Sequence, residues 1–403
     1  LKVIVQKYGG SSVADPERIR NVANRIVRKV RDGFKVVVVA SAMGKTTDQL
    51  IALAKSVSNR PDERELDMLL ATGEQVSCAL VAMALKDLRV KAISLNAFQA
   101  KILTTRHHTN ARILDINLPN LKEYLKEHDV LVITGFQGIT EDGHYTTLGR
   151  GGSDTSAVAL AAKLRCDCEI YSDVPGVYSC DPKLVSRPKK WSYITYDDML
   201  ELAATGAKVL HSRAVEIAKK YSVKIYCGSS FIEEEGTWVV DRLPEWLEEP
   251  VVTGVSLEQN QVKVTITDLT SDATVVSDIF KRVADRGINV DMISLVKNGE
   301  RTHISFTVVP DKLDGIKELL DDTLSDYGAK YHFYGSFAKI TVVGTGMRSS
   351  YGVASKLLEI LSKEGIEPEI VTTSEIKISL LVPEEHAQKL VEKICYAFSL
   401  VEE

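Results

Sequence analysis

The chain has 403 residues, 44% hydrophobic and 26% charged, with a formal net charge of −5. At about 150 residues per domain this length predicts two or three domains. The mildly acidic balance excludes functions that neutralise nucleic-acid phosphates or a membrane surface in bulk.

No run approaches the roughly 18 apolar residues of a membrane span, and the N-terminus has no signal-peptide pattern, so a cytoplasmic protein without membrane segments is expected. Six cysteines (Cys78, Cys166, Cys168, Cys180, Cys227 and Cys395) are sparse in a chain this long. Cys166-Asp167-Cys168 has the wrong spacing for zinc or a redox pair, so reduced structural thiols are expected. The eight histidines form no ligand spacing either, and no metal held by protein side chains is expected.

Short β-branched runs at 3–5, 36–40, 92–95, 130–134 and 169–172 read as buried strands. Between them, apolar residues recur at helical spacing, as in 16–31 and 65–86. This alternation predicts right-handed crossovers and a mostly parallel sheet covered on both faces. In such sheets ligands bind in the loops at the carboxyl ends of the strands.

The pattern changes after about residue 235, where Glu233-Glu234-Glu235-Gly236 and Leu243-Pro244-Glu245 form polar connectors. Val262–Ile266, an amphipathic helix, Arg286-Gly287-Ile288-Asn289, the strand 304–309 and a Pro-led helix then follow. The same succession recurs roughly 76 residues later, with Lys339–Val343, Glu364-Gly365-Ile366-Glu367 and the strand 377–382. Two βαββαβ-like units are predicted, with one continuous α+β domain as the alternative. The expected boundaries are 1–235 for the first domain, 236–258 for a linker and leading strand, and 259–330 and 331–403 for the repeats.

Lys7-Tyr8-Gly9-Gly10-Ser11-Ser12 follows the first strand and precedes a helix opened by Asp15-Pro16. Adjacent glycines let backbone N–H groups face a phosphate, and Lys7 supplies a point charge. A tight strand-to-helix turn needs the same glycines, so this motif alone leaves both readings open. A second glycine-rich run, Thr146 to Asp154, contains Gly149-Arg150-Gly151-Gly152-Ser153-Asp154 and precedes an apolar helix. Asp154 is a candidate N-cap there, and Arg150 a bidentate donor for a carboxylate or phosphate. Ser41 to Asp48 follows the second strand, and Thr72-Gly73-Glu74-Gln75 is placed at a helix start. Their hydroxyls and Glu74 suit a polar zwitterion, although Glu74 also fits as a first-turn helix residue.

Lys7 to Ala14 resembles the opening signature of the aspartate kinases. Gly135-Phe136-Gln137-Gly138, Leu148 to Asp154, Ser172-Asp173-Val174-Pro175-Gly176-Val177-Tyr178, Ala203 to His211 and Thr373 to Ser379 resemble further blocks of that family in the same order. The resemblance covers essentially the whole chain. It implies a three-layer αβα amino-acid-kinase domain with a mostly parallel sheet, followed by two α+β ferredoxin-like ACT domains. It also implies ATP with Mg²⁺ as cofactor, L-aspartate as substrate, and 4-phospho-L-aspartate as the product that opens the route to lysine, threonine and methionine.

By the same resemblance Lys7, Asp154 and Arg150 are catalytic. Ser41, Thr47, Glu74, Phe136, Arg150, Gly151, Gly152 and Ser153 line the aspartate site. Lys7, Tyr8, Gly9, Gly10, Ser172, Asp173, Tyr178, Asp181, Pro182, Lys183 and Lys208 form the ATP site. Asn289, Val290, Asp291, Met347, Arg348, Ser349 and Gly352 are effector candidates for lysine, threonine or both. A homodimer or higher oligomer through the ACT domains is implied as well.

Some positions depart from the family pattern. Ser212 replaces a common Pro, and Gly228 a common Arg before Ser229-Ser230-Phe231. The Asp-x-Pro-Gly turn of many relatives is Ser271-Asp272-Ala273-Thr274, Leu295 stands where Gln is frequent, and Glu367-Pro368 where Asn-Ile is common. The last two changes remove amides, which counts against threonine binding at that spot. Alternative readings are a kinase for glutamate or acetylglutamate and a catalytically silent amino-acid sensor on the same fold.

Overall fold

The computed structural model describes residues 2–206, 209–248, 250–270, 272–324 and 327–402. Lys208 and Ser271 therefore lie outside the described residues. The first elements are β1 (Lys2–Tyr8), α1 (Pro16–Arg31), β2 (Phe34–Ala40), α2 (Thr46–Val57), α3 (Glu63–Asp87) and β3 (Ala92–Leu95). There follow α4 (Ala97–Ala100), β4 (Ile102–Thr104), β5 (Ile113–Ile116), α5 (Leu118–Glu127), β6 (Val130–Thr134), β7 (Gln137–Ile139) and β8 (Tyr145–Thr147). Next come α6 (Gly152–Leu164), β9 (Cys168–Ser172), β10 (Tyr193–Thr195), α7 (Tyr196–Ala204), α8 (Ser212–Tyr221), β11 (Ile225–Ser229) and β12 (Thr237–Val240).

The five strands expected from the β-branched runs all form. They belong to an eight-stranded sheet of order β10-β12-β11-β9-β1-β2-β6-β3, parallel except for the β11–β12 pair. β1 lies between β2 and β9, which leave it in opposite directions, so its carboxyl end opens on a topological switch point. Asp15 caps α1 by accepting from Arg18 N at 2.9 Å, and Pro16 follows at the first helical position. Ile19, Val22, Ala23 and Ile26 on the inner face of α1 then pack with Val36, Val38, Val81 and Leu85. A smaller sheet of order β5-β4-β7-β8 completes this unit, which comprises Leu1–Val177, Lys190–Ala204 and Lys208–Glu248. The segment 236–258, read from the sequence as a linker, carries β12 inside the large sheet.

By length and composition α3 could cross a membrane, with a mean hydropathy of 1.6 over 18 residues, contrary to the expectation that no stretch approaches this. Half of that window is buried inside the protein, and the helix also buries Asp67 and Glu74.

The second unit comprises Tyr178–Lys189, Thr205–Ala207 and Glu249–Glu403. Its elements are β13 (Gly254–Thr270), α9 (Ala273–Asp285), β14 (Asp291–Asn298), β15 (Arg301–Val308), α10 (Leu313–Leu324) and β16 (Lys330–Val343). They continue with α11 (Val353–Lys363), β17 (Ile370–Thr373), β18 (Lys377–Pro383) and α12 (Glu384–Ala397). The two sequence repeats share one antiparallel sheet of order β14-β15-β13-β16-β18-β17. The start of β13 pairs with the end of β16 (Gly254 with Val343), and its far half pairs with β15 (Val264 with Phe306). Ile279, Phe306 and Leu320 lie in the apolar cluster of the first repeat, and Met292, Phe337, Ile370 and Leu381 form another.

Candidate active site

Lys7 is the penultimate residue of β1, opposite Val39 and Ile170 at the centre of the parallel sheet. It is only 8% exposed, and its Nζ lies 2.7 Å from Asp154 Oδ1. The pair therefore crosses between the two glycine-rich turns singled out in the sequence. A buried ammonium is tolerable only with such a partner, so Asp154 holds the charge of Lys7 in place. Asp154 is the third residue of α6, not its N-cap. That position belongs to Gly151, at φ 66°, a left-handed conformation in which glycine pays little strain. A Cβ there would also meet the His211 ring at 2.2 Å.

The turn after β1 is pressed against the loop after β2. Gly44 N donates to Gly10 O at 3.0 Å, and a Cβ on Gly10 would meet Ala42 O at 2.9 Å. Gly9 N donates to Tyr171 O at 3.1 Å. Tyr8 is fully buried, its ring stacked on Tyr171 with centroids 5.3 Å apart and its carbonyl accepting from Ser41 N at 3.1 Å, so it supports the turn from within. Ser41 Oγ donates to Ser153 Oγ at 3.0 Å, which brings together two residues expected in the substrate site. Phe136 holds a left-handed φ of 66°, and its N–H donates to Ser156 Oγ at 3.1 Å. Gly152 lies close enough that a Cβ would meet the Phe136 ring at 2.8 Å.

Glu74 is not at a helix start. It lies in the middle of α3, 2% exposed, because the apolar periodicity of that helix runs straight through it. Ala42 N donates to its Oε1 at 3.2 Å. Burial pushes its carboxyl up to about 8, against smaller opposing effects of backbone N–H groups and Gln137. A carboxyl that is costly to ionise, beside the Ser41–Ala42 backbone, is poised to take up an ammonium group.

Thr47 is half-buried in the first turn of α2. Arg150 is exposed and makes no ion pair or hydrogen bond among the described residues. Ser172 ends β9, its hydroxyl accepting from Val174 N at 3.1 Å, and Asp173 is exposed beside it. Tyr178, Asp181, Pro182 and Lys183 belong to the second unit. Within that unit Ser179 Oγ donates to Leu400 O at 2.6 Å, and Asp181 Oδ1 accepts from Lys183 N at 2.9 Å.

Of the effector candidates, Met347, Arg348 and Gly352 line a cavity of about 560 Å³ with Tyr351, Thr373 and Glu375, and Arg348 Nε lies 3.3 Å from Glu375. Ser349 is exposed beside it and donates to Gly346 O at 3.3 Å. Asn289, Val290 and Asp291 do not line that cavity. Asp291 instead pairs with the buried Lys339, whose Nζ is also 3.0 Å from Glu258. Burial works against ionisation of Asp291, but Lys339 outweighs it and holds the carboxyl below its ordinary range.

Three supporting elements escaped the sequence reading. Asp67, fully buried on α3, accepts from Thr109 N at 3.0 Å and Thr147 Oγ1 at 2.5 Å, with His108 Nδ1 at 2.8 Å. Arg213 donates to Leu148 O at 2.9 Å and Ala111 O at 2.7 Å, which clamps the start of the second glycine turn. His211, over Gly151, keeps a buried Nδ1 without a partner among the described residues. His108 lies in the polar run Thr104–Asn110, and its partner Asp67 is too far away in sequence to be read from spacing.

The amino acid kinase family model matches residues 2–229, which contain this buried Lys–Asp pair and both glycine turns. An ACT domain model matches residues 340–398. The aspartokinase of Geobacillus stearothermophilus is 46% identical over 405 residues, covering 100% of this chain and 98% of that protein. Aspartokinase 2 of Bacillus subtilis (strain 168) is 45% identical over 402 residues, covering 99% and 98%. The crystal structure of E. coli aspartokinase III in complex with aspartate and ADP has the same fold, with a TM-score of 0.80 at 24% identity, covering 98% of this chain and 99% of that one. The chain belongs to the aspartokinases, within the amino acid kinase family.

Proposed function

We propose that the chain transfers the γ-phosphoryl group of ATP to the β-carboxylate of L-aspartate, giving 4-phospho-L-aspartate and ADP under amino-acid control. The observation that carries this reading is the buried Lys7–Asp154 pair, 2.7 Å apart, between the glycine turns at the end of β1 and the start of α6. The acceptor has a pKa of about 3.9 and is already ionised at neutral pH, so no base is needed. A carboxylate oxygen bonds to phosphorus as the bridging oxygen leaves with ADP. The obstacle is repulsion between two anions, and catalysis consists of positioning and neutralisation.

Lys7 neutralises the transferring group, with its ammonium fixed by Asp154. Backbone N–H groups of Gly10 and Gly151, with the N-terminus of α6, receive phosphate oxygens, while Gly9 N and Gly152 N hold the turns in shape through Tyr171 O and Gly149 O. Arg150 takes the α-carboxylate of aspartate and Glu74 its α-ammonium, with Ser41, Thr47, Phe136 and Ser153 around them. Ser172, Asp173, Tyr178, Asp181, Pro182, Lys183 and Lys208 serve the nucleotide. Gly10 and Gly152 let the two turns pack closely, since a Cβ at either would clash with Ala42 O or the Phe136 ring. Mg²⁺ arrives on ATP and offsets phosphate charge.

In the second unit an amino acid, lysine or threonine, occupies the cavity of Arg348 and Gly352. The edge strand β14, with Ile293, Leu295 and Val296 exposed, supports assembly into a homodimer or larger oligomer. The protein works in the cytoplasm, at the head of lysine, threonine and methionine synthesis.

ATP-dependent hydroxamate formation, run in parallel with aspartate, glutamate and N-acetylglutamate, tests the substrate. Product with aspartate alone is expected. Product with another acid, or none with any, would overturn the reading. Inhibition by lysine and threonine, singly and together, then identifies the effector.

A further inference from the structure

On the α1 side of the first unit, behind the glycine turn, lies a second polar cavity of about 320 Å³ that contains none of the residues assigned to phosphoryl transfer. Arg18, Arg25 and Arg28 project into it from one face of α1, and the loop after β11 closes the other side. Two of these arginines are committed. Arg18 Nε lies 3.1 Å from Asp15, and its Nη1 donates to Ser11 O at 2.7 Å, while Arg28 pairs with Glu233. Arg25 meets no carboxylate within ion-pair distance among the described residues, and its guanidinium rests on the Tyr171 ring, 4.6 Å from the centroid.

The lining therefore carries one unmatched positive charge. Its free neutral donors are the Asn21 and Asn24 amides, while the Ser12 and Ser230 hydroxyls, 2.7 Å apart, are spent on each other and on Ser172 O. An apolar ligand would leave these donors without partners, and a cation would be repelled. A planar guanidinium flanked by amide donors matches the oxygens of a tetrahedral oxyanion.

We propose that this cavity is an anion site, separate from the phosphoryl-transfer centre, that takes a phosphate group on Arg25 with help from the Asn24 amide. Its walls are tied to the back of the glycine turn. Ser12 is part of that turn, Tyr171 O accepts from Gly9 N, and Ser230 Oγ donates to Ser172 O at 3.1 Å. The inference concerns binding and holds whichever acid the enzyme phosphorylates.

The test is calorimetric titration of the full chain with inorganic phosphate at constant ionic strength, in wild type, Lys7→Met, Arg25→Met and Asn24→Asp. Asn24 is exposed, so its substitution adds a negative charge at the rim without disturbing packing. Saturable binding that weakens at least about tenfold in both Arg25→Met and Asn24→Asp, and survives in Lys7→Met, is expected. Absence of saturable binding, binding unchanged in Asn24→Asp, or binding lost only in Lys7→Met would overturn the proposal. Glycerol 3-phosphate in a parallel titration separates the sources: tighter binding than phosphate indicates a phosphoryl group carried on a metabolite, and weaker binding the free anion, each supporting the site if it follows the same variants.

Discussion

The two units bury charge in opposite ways. In the first, Lys7, Asp154 and Glu74 lie where the carboxyl ends of β1 and β2, the middle of α3 and the first turn of α6 converge, and among the described residues Glu74 has no cationic partner. In the second, Lys339 lies within an antiparallel sheet and is matched by Glu258 on the adjacent strand β13 and by Asp291 at the start of β14. An unpaired buried carboxyl costs stability and is retained where a ligand supplies its counter-charge, whereas a matched cluster joins two repeats into one sheet. The comparison predicts that breaking the first set removes activity, and breaking the second removes stability.

The largest effect is expected at Lys7. Lys7→Met should lower kcat by about 10³-fold with the fold intact by circular dichroism. A loss below about tenfold would remove Lys7 from its role.

Glu74→Gln comes next. It should raise the KM for aspartate by roughly 10–100-fold with a smaller change in kcat. In the free enzyme Glu74 ionises only near pH 8, so the wild-type KM for aspartate should fall as pH rises through that region, while Glu74→Gln stays flat. The stability effect has the opposite sign. A carboxyl with its folded pKa raised from 4.5 to about 8 favours the fold fully below pH 4.5 and loses that contribution as pH rises through 8. Ligand-free Glu74→Gln should therefore be more stable than wild type at pH 8.5, by on the order of a few kcal/mol. Equal melting temperatures at that pH would show that Glu74 is not held neutral.

The smallest catalytic effect is expected at Lys339. Lys339→Met should destabilise the second unit by about 1–3 kcal/mol in thermal melts, since Glu258 and Asp291 lose their cation, yet leave kcat without effector within about twofold. The Asp291 carboxyl is lowered in the fold, so its contribution is present above the ordinary carboxylate pKa and fades as pH falls, and the gap between variant and wild type should narrow in acid. A large loss of kcat would contradict the division of labour between the units.

Much of the first unit is legible in the sequence because its signals are local. β-branched runs mark β1, β2 and β6, Asp15-Pro16 marks the start of α1, and the adjacent glycines mark the turn after β1. The misreadings arise where a local rule meets a non-local constraint. Asp154 looks like an N-cap, but Gly151 can adopt the left-handed conformation that lets α6 begin earlier. Glu74 looks like a first-turn residue because Thr72-Gly73 suggests a break, yet Gly73 stays helical where α3 passes close to Ala42. The ties between Asp67 and His108, and between Ser179 and Leu400, span 41 and 221 residues, and no motif spacing encodes them.

The central claim is that an aspartate carboxylate oxygen, with no base to activate it, attacks the γ-phosphorus beside Lys7. Aspartate labelled with ¹⁸O in both β-carboxylate oxygens, turned over with ATP and trapped by hydroxylamine at the acyl carbon, tests it directly. The account predicts one ¹⁸O atom in each released phosphate. Unlabelled phosphate would show that water, rather than aspartate, takes the phosphoryl group.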